Sequence, residues 1–269
     1  NKMFSPKFEW NDFFTGTPAT KIGPGLYTSR QTPSTSSVYV SNCLFNNCVL
    51  SSGDGGALYC SSATYFFVES SSFFTCKTNS GSGGAIYFYN SNCLQSILYS
   101  VCGYDCSAND LGIFARIYIN NGATNKNYVN YSSVTRCIGG SQCTLYIQNG
   151  KIYFPSVNTS MNKCSYFSGI IYNPFVDSSS FTSSLSYCTF ADNSASQYNC
   201  IWCNNDGAKY EIKCCNILRN TQVSGSYGII FARGNLMIED SCILENAATY
   251  IFYQESSSYT ITLSNCTVD

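Results

Sequence analysis

The chain has 269 residues, a net charge of −1, 11% charged residues and no histidine. That length can bury a sizeable core in one or two domains, and the absence of any Lys/Arg cluster makes nucleic acid and anionic membranes poor partner expectations. No apolar run approaches the roughly 20 residues of a membrane helix, and without imidazole the usual nucleophile activation and the commonest metal ligand are missing.

Residues 1–37 are rich in aromatics and then in turn residues, with four of the six prolines. They read as a linker or, better, as a cap whose Phe4, Phe8, Trp10, Phe13 and Phe14 cover the first coil of a repeat that begins at Val38, because exposing so many rings is costly.

From Val38 to the end the sequence repeats. Units start at Val38, Phe66, Ser96, Asn127, Phe154, Ser183, Tyr210, Leu236 and Ile261, a period of about 28 residues. Position three is apolar (Val40, Val68, Leu98, Val129, then Leu185, Ile212, Ile238, Leu263) with one lapse at Ser156. Position six holds small residues such as Cys43, Ser71, Ser132, Cys188 and Cys215, and position eight bulky ones such as Phe45, Phe73 and Phe190. Position eleven changes from thiol to amide: Cys48, Cys76, Cys106, Cys137, Cys164, then Asn193, Asn220, Asn246. A later strand carries an apolar column, Leu58, Ile86, Phe114, Leu145, Ile171, Ile201, Ile230 and Ile251. Beside it runs Tyr59, Tyr87, Ala115, Tyr146, Tyr172, Trp202, Phe231 and Phe252.

Short segments rich in Val, Ile, Tyr, Phe and Ser, broken by Gly and Asn, are strand and turn composition. Because positions three, six and eight are all apolar or small, the alternation of a strand must change phase between Val40 and Cys43, so the chain bends there. Two strands around a corner and a third at Gly-Gly-Ala-Leu-Tyr predict an all-β fold, a parallel β-helix of about nine coils with three short strands per coil spanning 38–269. The crossover rule makes it right-handed. Stacked asparagines can then bond one another and the turn backbone. At position ten Asp105 should meet Arg136, Lys163 should meet Asp192, and Arg219 should lie between Asp192 and Glu245, pinning register.

Seventeen cysteines point to a secreted or surface protein. The position-eleven thiols should stay free, since parallel inward Cβ vectors hold them too far apart, and bridges are expected off the ladder, for instance Cys137 with Cys143 or Cys102 with Cys106. Cys200, Cys203, Cys214 and Cys215 imitate a zinc set but fall on different columns, so no metal or other cofactor is expected. The acids are scattered, with Glu239 beside Lys213, unlike the grouped carboxylates of polysaccharide-degrading enzymes. Tyr59, Tyr87, Tyr146, Tyr172, Trp202, Phe231 and Phe252 should form an outward stripe able to stack sugars or bury against a partner, or else be covered by loops or the N-terminal segment, or, with inward and outward phases swapped, be core. Asn130, Asn158 and Asn265 are candidate N-glycosylation sites. The last unit stops at Asp269 before its second strand, leaving strand edges that a continuing chain or another copy would cover.

Gly55-Gly56-Ala57-Leu58, Gly83-Gly84-Ala85-Ile86 and Phe190-Ala191-Asp192-Asn193 resemble the GGA(I/L/V) and FxxN repeats of chlamydial polymorphic outer-membrane proteins and of trichomonad surface proteins. The resemblance implies a β-helical surface passenger used in adhesion; with no translocator barrel after the repeats, a eukaryotic surface or secreted protein suits it better. Three functions are expected, in this order: a non-enzymatic extracellular structural protein assembling with copies of itself into a filament or coat, an adhesin for glycans or a host protein, and a polysaccharide lyase or hydrolase.

Overall fold

A computed structural model describes residues 8–140, 142–177, 179–198, 200–225 and 227–269. Every strand pairing in it is parallel, and the sheets stack as a β-solenoid of about eight turns. One row of strands runs from Thr20–Ile22 through Ser37–Ser41 and Tyr65–Glu69 to Ile261–Ser264. A second runs from Gly25–Tyr27 through Cys43–Asn46 to Thr267–Val268, and a third from Leu58–Cys60 to Phe252–Gln254. A fourth row of two-residue strands, including Val49–Leu50 and Lys163–Cys164, adds to the three expected. The first and third rows merge into one sheet because Ile201–Lys213 and Ile230–Glu239 run on through the corner between them.

Two bends per coil shape the solenoid. Position five (Asn42, Ser70, Ser100 and their successors) and position ten (Asn47, Thr75, Asp105 and theirs) have φ between 44° and 58° in every coil, although none is glycine. A left-handed residue with a Cβ costs about 1 kcal/mol, and two per coil need compensation. The residue after most bends supplies it from inside; at position six Val101 and Val157 are the exceptions. At position six, Ser71 Oγ donates to Glu69 O and accepts from Cys43 N; Ser132 and Ser241 repeat the arrangement. At position eleven, Cys76 Sγ donates to Phe45 O of the coil before, and Asn220 Nδ2 donates to the equivalent Phe190 O. Thiol and amide thus serve the same acceptor, which is why one column can change from Cys to Asn.

The observed register corrects the fifth unit. Tyr128 pairs with Tyr153 and Phe154 with Leu185, so this unit starts at Ile152, two residues before the expected Phe154. Phe154, fully buried, fills the apolar row, while Ser156 sits at a bend with φ 57°. Asn162 consequently occupies position eleven, and Cys164 pairs instead with Gly139 and Ala195 in the fourth row. The ladder is four thiols and then four amides, Cys48, Cys76, Cys106, Cys137, Asn162, Asn193, Asn220 and Asn246. Met161, not Lys163, lies at position ten of that coil, so the expected Lys163–Asp192 pair does not form. Arg219 holds Asp192 in a bidentate pair at 2.8 and 2.9 Å, whereas Arg136 turns to Tyr104, its Nη1 donating to the phenol oxygen at 3.3 Å. Such exposed pairs set register more than stability.

All seventeen cysteines are free, so the bridges expected between Cys137 and Cys143 or Cys102 and Cys106 are not made. Their thiols are used as bend donors and core filler. Burial pushes Cys143, Cys200 and Cys203 up to about 12. Groups with pKa raised this far stay protonated as pH rises from 7 to 9, and only the thiolate reacts. A thiol reagent is therefore expected to modify the half-exposed Cys102, Cys214, Cys242 and Cys266 first in the native protein at either pH. The rest should react only on denaturation, and fast native-state modification of most thiols in a timed titration would contradict the buried columns.

The N-terminal segment does two separate things. Thr20–Tyr27 pairs with the first full unit, Thr20 against Val38 and Gly25 against Cys43, and so forms an abbreviated coil of its own. The short helix Trp10–Phe13 clads the flank instead of the end of the solenoid: Trp10 and Phe14, 5% and 6% exposed, pack on Tyr39, Phe67, Ile97 and Tyr99. The cover is needed because the outward column of the first row is apolar over these coils. Phe4 lies outside the described residues.

Candidate aromatic cleft

The outward column of the third row is Tyr59, Tyr87, Arg116, Tyr146, Ile171, Trp202, Phe231 and Tyr253. Five of the seven expected stripe residues stand in it; Tyr172 and Phe252 do not. Tyr172 points inward, fully buried, with its hydroxyl 3.0 Å from Cys203 Sγ, and Phe252 stands opposite Ile230 in the inward column. Arg116 enters the column for a separate reason, at Gly103, where a side chain would overlap the Phe114 ring. That gap admits Phe114 to the core, so Ala115 takes the inward column and Arg116 the outward one.

The stripe has two chemically different halves. In the N-terminal half Tyr59 and Tyr87 stack at 5.4 Å and 4°, with Arg30 over Tyr59 and Arg116 between Tyr87, Tyr89 and Tyr146 at 5.6 to 5.9 Å. These guanidiniums occupy the ring faces. Desolvation raises the Tyr87 and Tyr146 phenols, which therefore stay neutral.

In the C-terminal half the rings line a cleft of about 430 Å³. Its walls include rings from the loop that precedes each third-row strand, Tyr166, Phe167, Tyr198 and Tyr227, together with Trp202 and Phe231. Phe167 stacks on Tyr198 at 4.8 Å and on Trp202 at 4.5 Å, and Tyr198 on Tyr227 at 5.1 Å, all within 25° of parallel. Phe231 and Tyr253 continue the run at 5.4 Å and 9°. Trp202 Nε1 is buried and has no acceptor among the described residues. The loop rings stack because the loops themselves pair, Tyr198 N donating to Tyr166 O.

The rim is polar. Gln142, Arg233 and Glu255 line it. Arg233 Nε lies 2.6 Å from Glu255 Oε2 and 3.1 Å from Asp206 Oδ1, and its Nη1 donates to Asn204 Oδ1 at 3.3 Å. Desolvation opposes the Arg233 charge, but the Glu255 hydrogen bond and the two carboxylate charges outweigh it and raise its pKa. Acids that look scattered in sequence, Asp206 and Glu255, are thus brought to one guanidinium beside the rings.

The other sequence candidates fall elsewhere in the solenoid. Glu239 pairs with Lys213 at 3.1 Å. Cys200 lies by Asn193 and Asn220, Cys203 meets Tyr172, and Cys214 and Cys215 belong to a bend; among the described residues no three metal-ligating side chains converge. Asn130 is half-buried, and its sequon hydroxyl, on Ser132, faces the interior; Asn158 is exposed, and its sequon hydroxyl, on Ser160, is half-buried and donates to Thr135 Oγ1 at 3.2 Å. Asn265 and Thr267 are both exposed, with Asn265 Nδ2 donating to Asp240 Oδ1. The recurrence of Tyr166, Tyr198 and Tyr227 near the coil period was the available signal for the cleft. No protein-family model matches this chain, and no curated protein or solved structure is similar to it.

Proposed function

We propose that this β-solenoid is a non-enzymatic carbohydrate-binding protein, an adhesin-type module working at a cell surface or outside the cell, and that the aromatic cleft holds the sugar. The observation that carries the reading is the run of near-parallel rings from Phe167 to Tyr227 facing a recess with Gln142, Arg233 and Glu255 at its edge. Aromatic walls suit the C–H surface of a pyranose, and the amide, guanidinium and carboxylate suit its hydroxyls. A concave recess of this size favours a small ligand over a flat copy of the same chain, and so favours the adhesin expectation over a filament or coat. Asp206 and Glu255 are both engaged by Arg233, an arrangement suited to orienting hydroxyls rather than to acid–base turnover.

Trp202→Ala is expected to weaken oligosaccharide binding about tenfold or more, from lost stacking, while Tyr59→Ala in the other half of the stripe leaves it unchanged. A glycan array and then calorimetry on both variants measure this. Retention of no glycan, or equal loss in the two variants, would sink the reading.

A further inference from the structure

We infer that the cleft discriminates by charge, taking an amino sugar ahead of a neutral sugar and a neutral sugar ahead of a uronate; the inference rests on the cleft being a sugar site. Arg233 is the one cation among the residues lining it. In a cleft open to an acidic sugar that guanidinium would be the carboxylate receptor, but Glu255 at 2.6 Å and Asp206 at 3.1 Å already occupy its Nε. Two carboxylates against one guanidinium give the Arg233 cluster a net charge of −1, with Glu255 on the cleft lining and Asp206 joined to it through Arg233. Both acids also reach solvent, Asp206 with 63% and Glu255 with 42% of the side chain exposed, so their charge acts on a ligand at the mouth of the cleft.

An amine on a sugar ring stacked against Trp202 can therefore be drawn to the carboxylate rim while its ring fills the recess. A uronate has the same fit and the opposite electrostatics. Because the rim is exposed, each step in the ranking is expected to be about fivefold at low ionic strength and to shrink as salt is added.

The experiment is calorimetric titration of the full chain with β-1,4-linked tetramers of glucosamine, glucose and glucuronate at low salt and mildly acidic pH, repeated with Asp206→Asn. The expected result is that affinity falls in that order, and that Asp206→Asn, which brings the Arg233 cluster to neutrality, moves the ratio of glucosamine to glucose affinity toward one, whatever it does to the glucose tetramer alone. Glucuronate binding as tight as glucose, or a glucosamine preference unmoved by Asp206→Asn, overturns the inference and leaves the sugar site standing. Binding of none of the three overturns both.

Discussion

Asn193→Ala is expected to cost about 3 to 5 kcal/mol of stability, because several buried polar groups lose their partners at roughly 1 to 3 kcal/mol each. Asn193 is fully buried. Its Oδ1 accepts from Asn162 N at 3.1 Å and Asn162 Nδ2 at 3.0 Å. Its Nδ2 donates to Thr159 O at 2.9 Å and Asn220 Oδ1 at 3.0 Å. Alanine satisfies none of these, and the fully buried site admits no water easily. The comparison is Asn246→Ala at the end of the ladder, where Nδ2 donates to Ile217 O at 2.7 Å but the side chain is only half-buried. Water can replace part of what is lost there, so about 1 to 2 kcal/mol is expected. Urea unfolding with an unchanged slope separates the two variants. Equal losses would mean that the amides are not a continuous buried ladder.

Gly84→Ala is expected to be similarly severe, for a steric reason. Gly83, with φ 65°, makes the turn, and Gly84 then brings the backbone against the next coil, where a Cβ would overlap the carbonyl oxygens of Ile113 and Ser107. Gly84 N donates to that same Ile113 O at 3.0 Å, so relieving the overlap breaks the ladder between two coils. A loss of about 3 kcal/mol is expected, at the upper end of overpacking costs. Gly207→Ala is the control: φ is 75°, but nothing lies within 4 Å of its Cβ position, so only the backbone cost of about 1 kcal/mol applies. In a solenoid each coil leans only on its neighbours, so Gly84→Ala should also split unfolding into two steps. A single transition at the wild-type midpoint would contradict the close approach.

These two sites show what the sequence makes legible. A turn that demands glycine, or a bend that demands a small inward donor, recurs in most coils and leaves a column. Cys48, Cys76, Cys106 and Cys137 are such a column, as are Asn193, Asn220 and Asn246. The errors arise where one coil departs from its neighbours. Chemical likeness draws Cys164 into the thiol column, but packing decides otherwise: Phe154 must fill the core, and Asn162 is the next available donor. At Tyr172 the strand alternation gives the answer, since Ile170 and Ile171 precede it and only one of them can face inward. The cleft was less legible for a different reason. Tyr166, Phe167, Tyr198 and Tyr227 sit in loops whose stacking is three-dimensional, and Asp206, Arg233 and Glu255 are brought together only by the register between coils.

The chain has two tryptophans, Trp10 under the N-terminal segment and Trp202 in the cleft, so a nitrogen-edited NMR spectrum contains two indole N–H signals, separable with a single Trp202→Phe variant. Titration with an oligosaccharide retained on a glycan array is expected to move the Trp202 indole signal, whose N–H has no acceptor among the described residues, and to leave that of Trp10 in place. Saturating binding that leaves the Trp202 signal where it was, or that moves only Trp10, would put the sugar elsewhere and contradict the cleft.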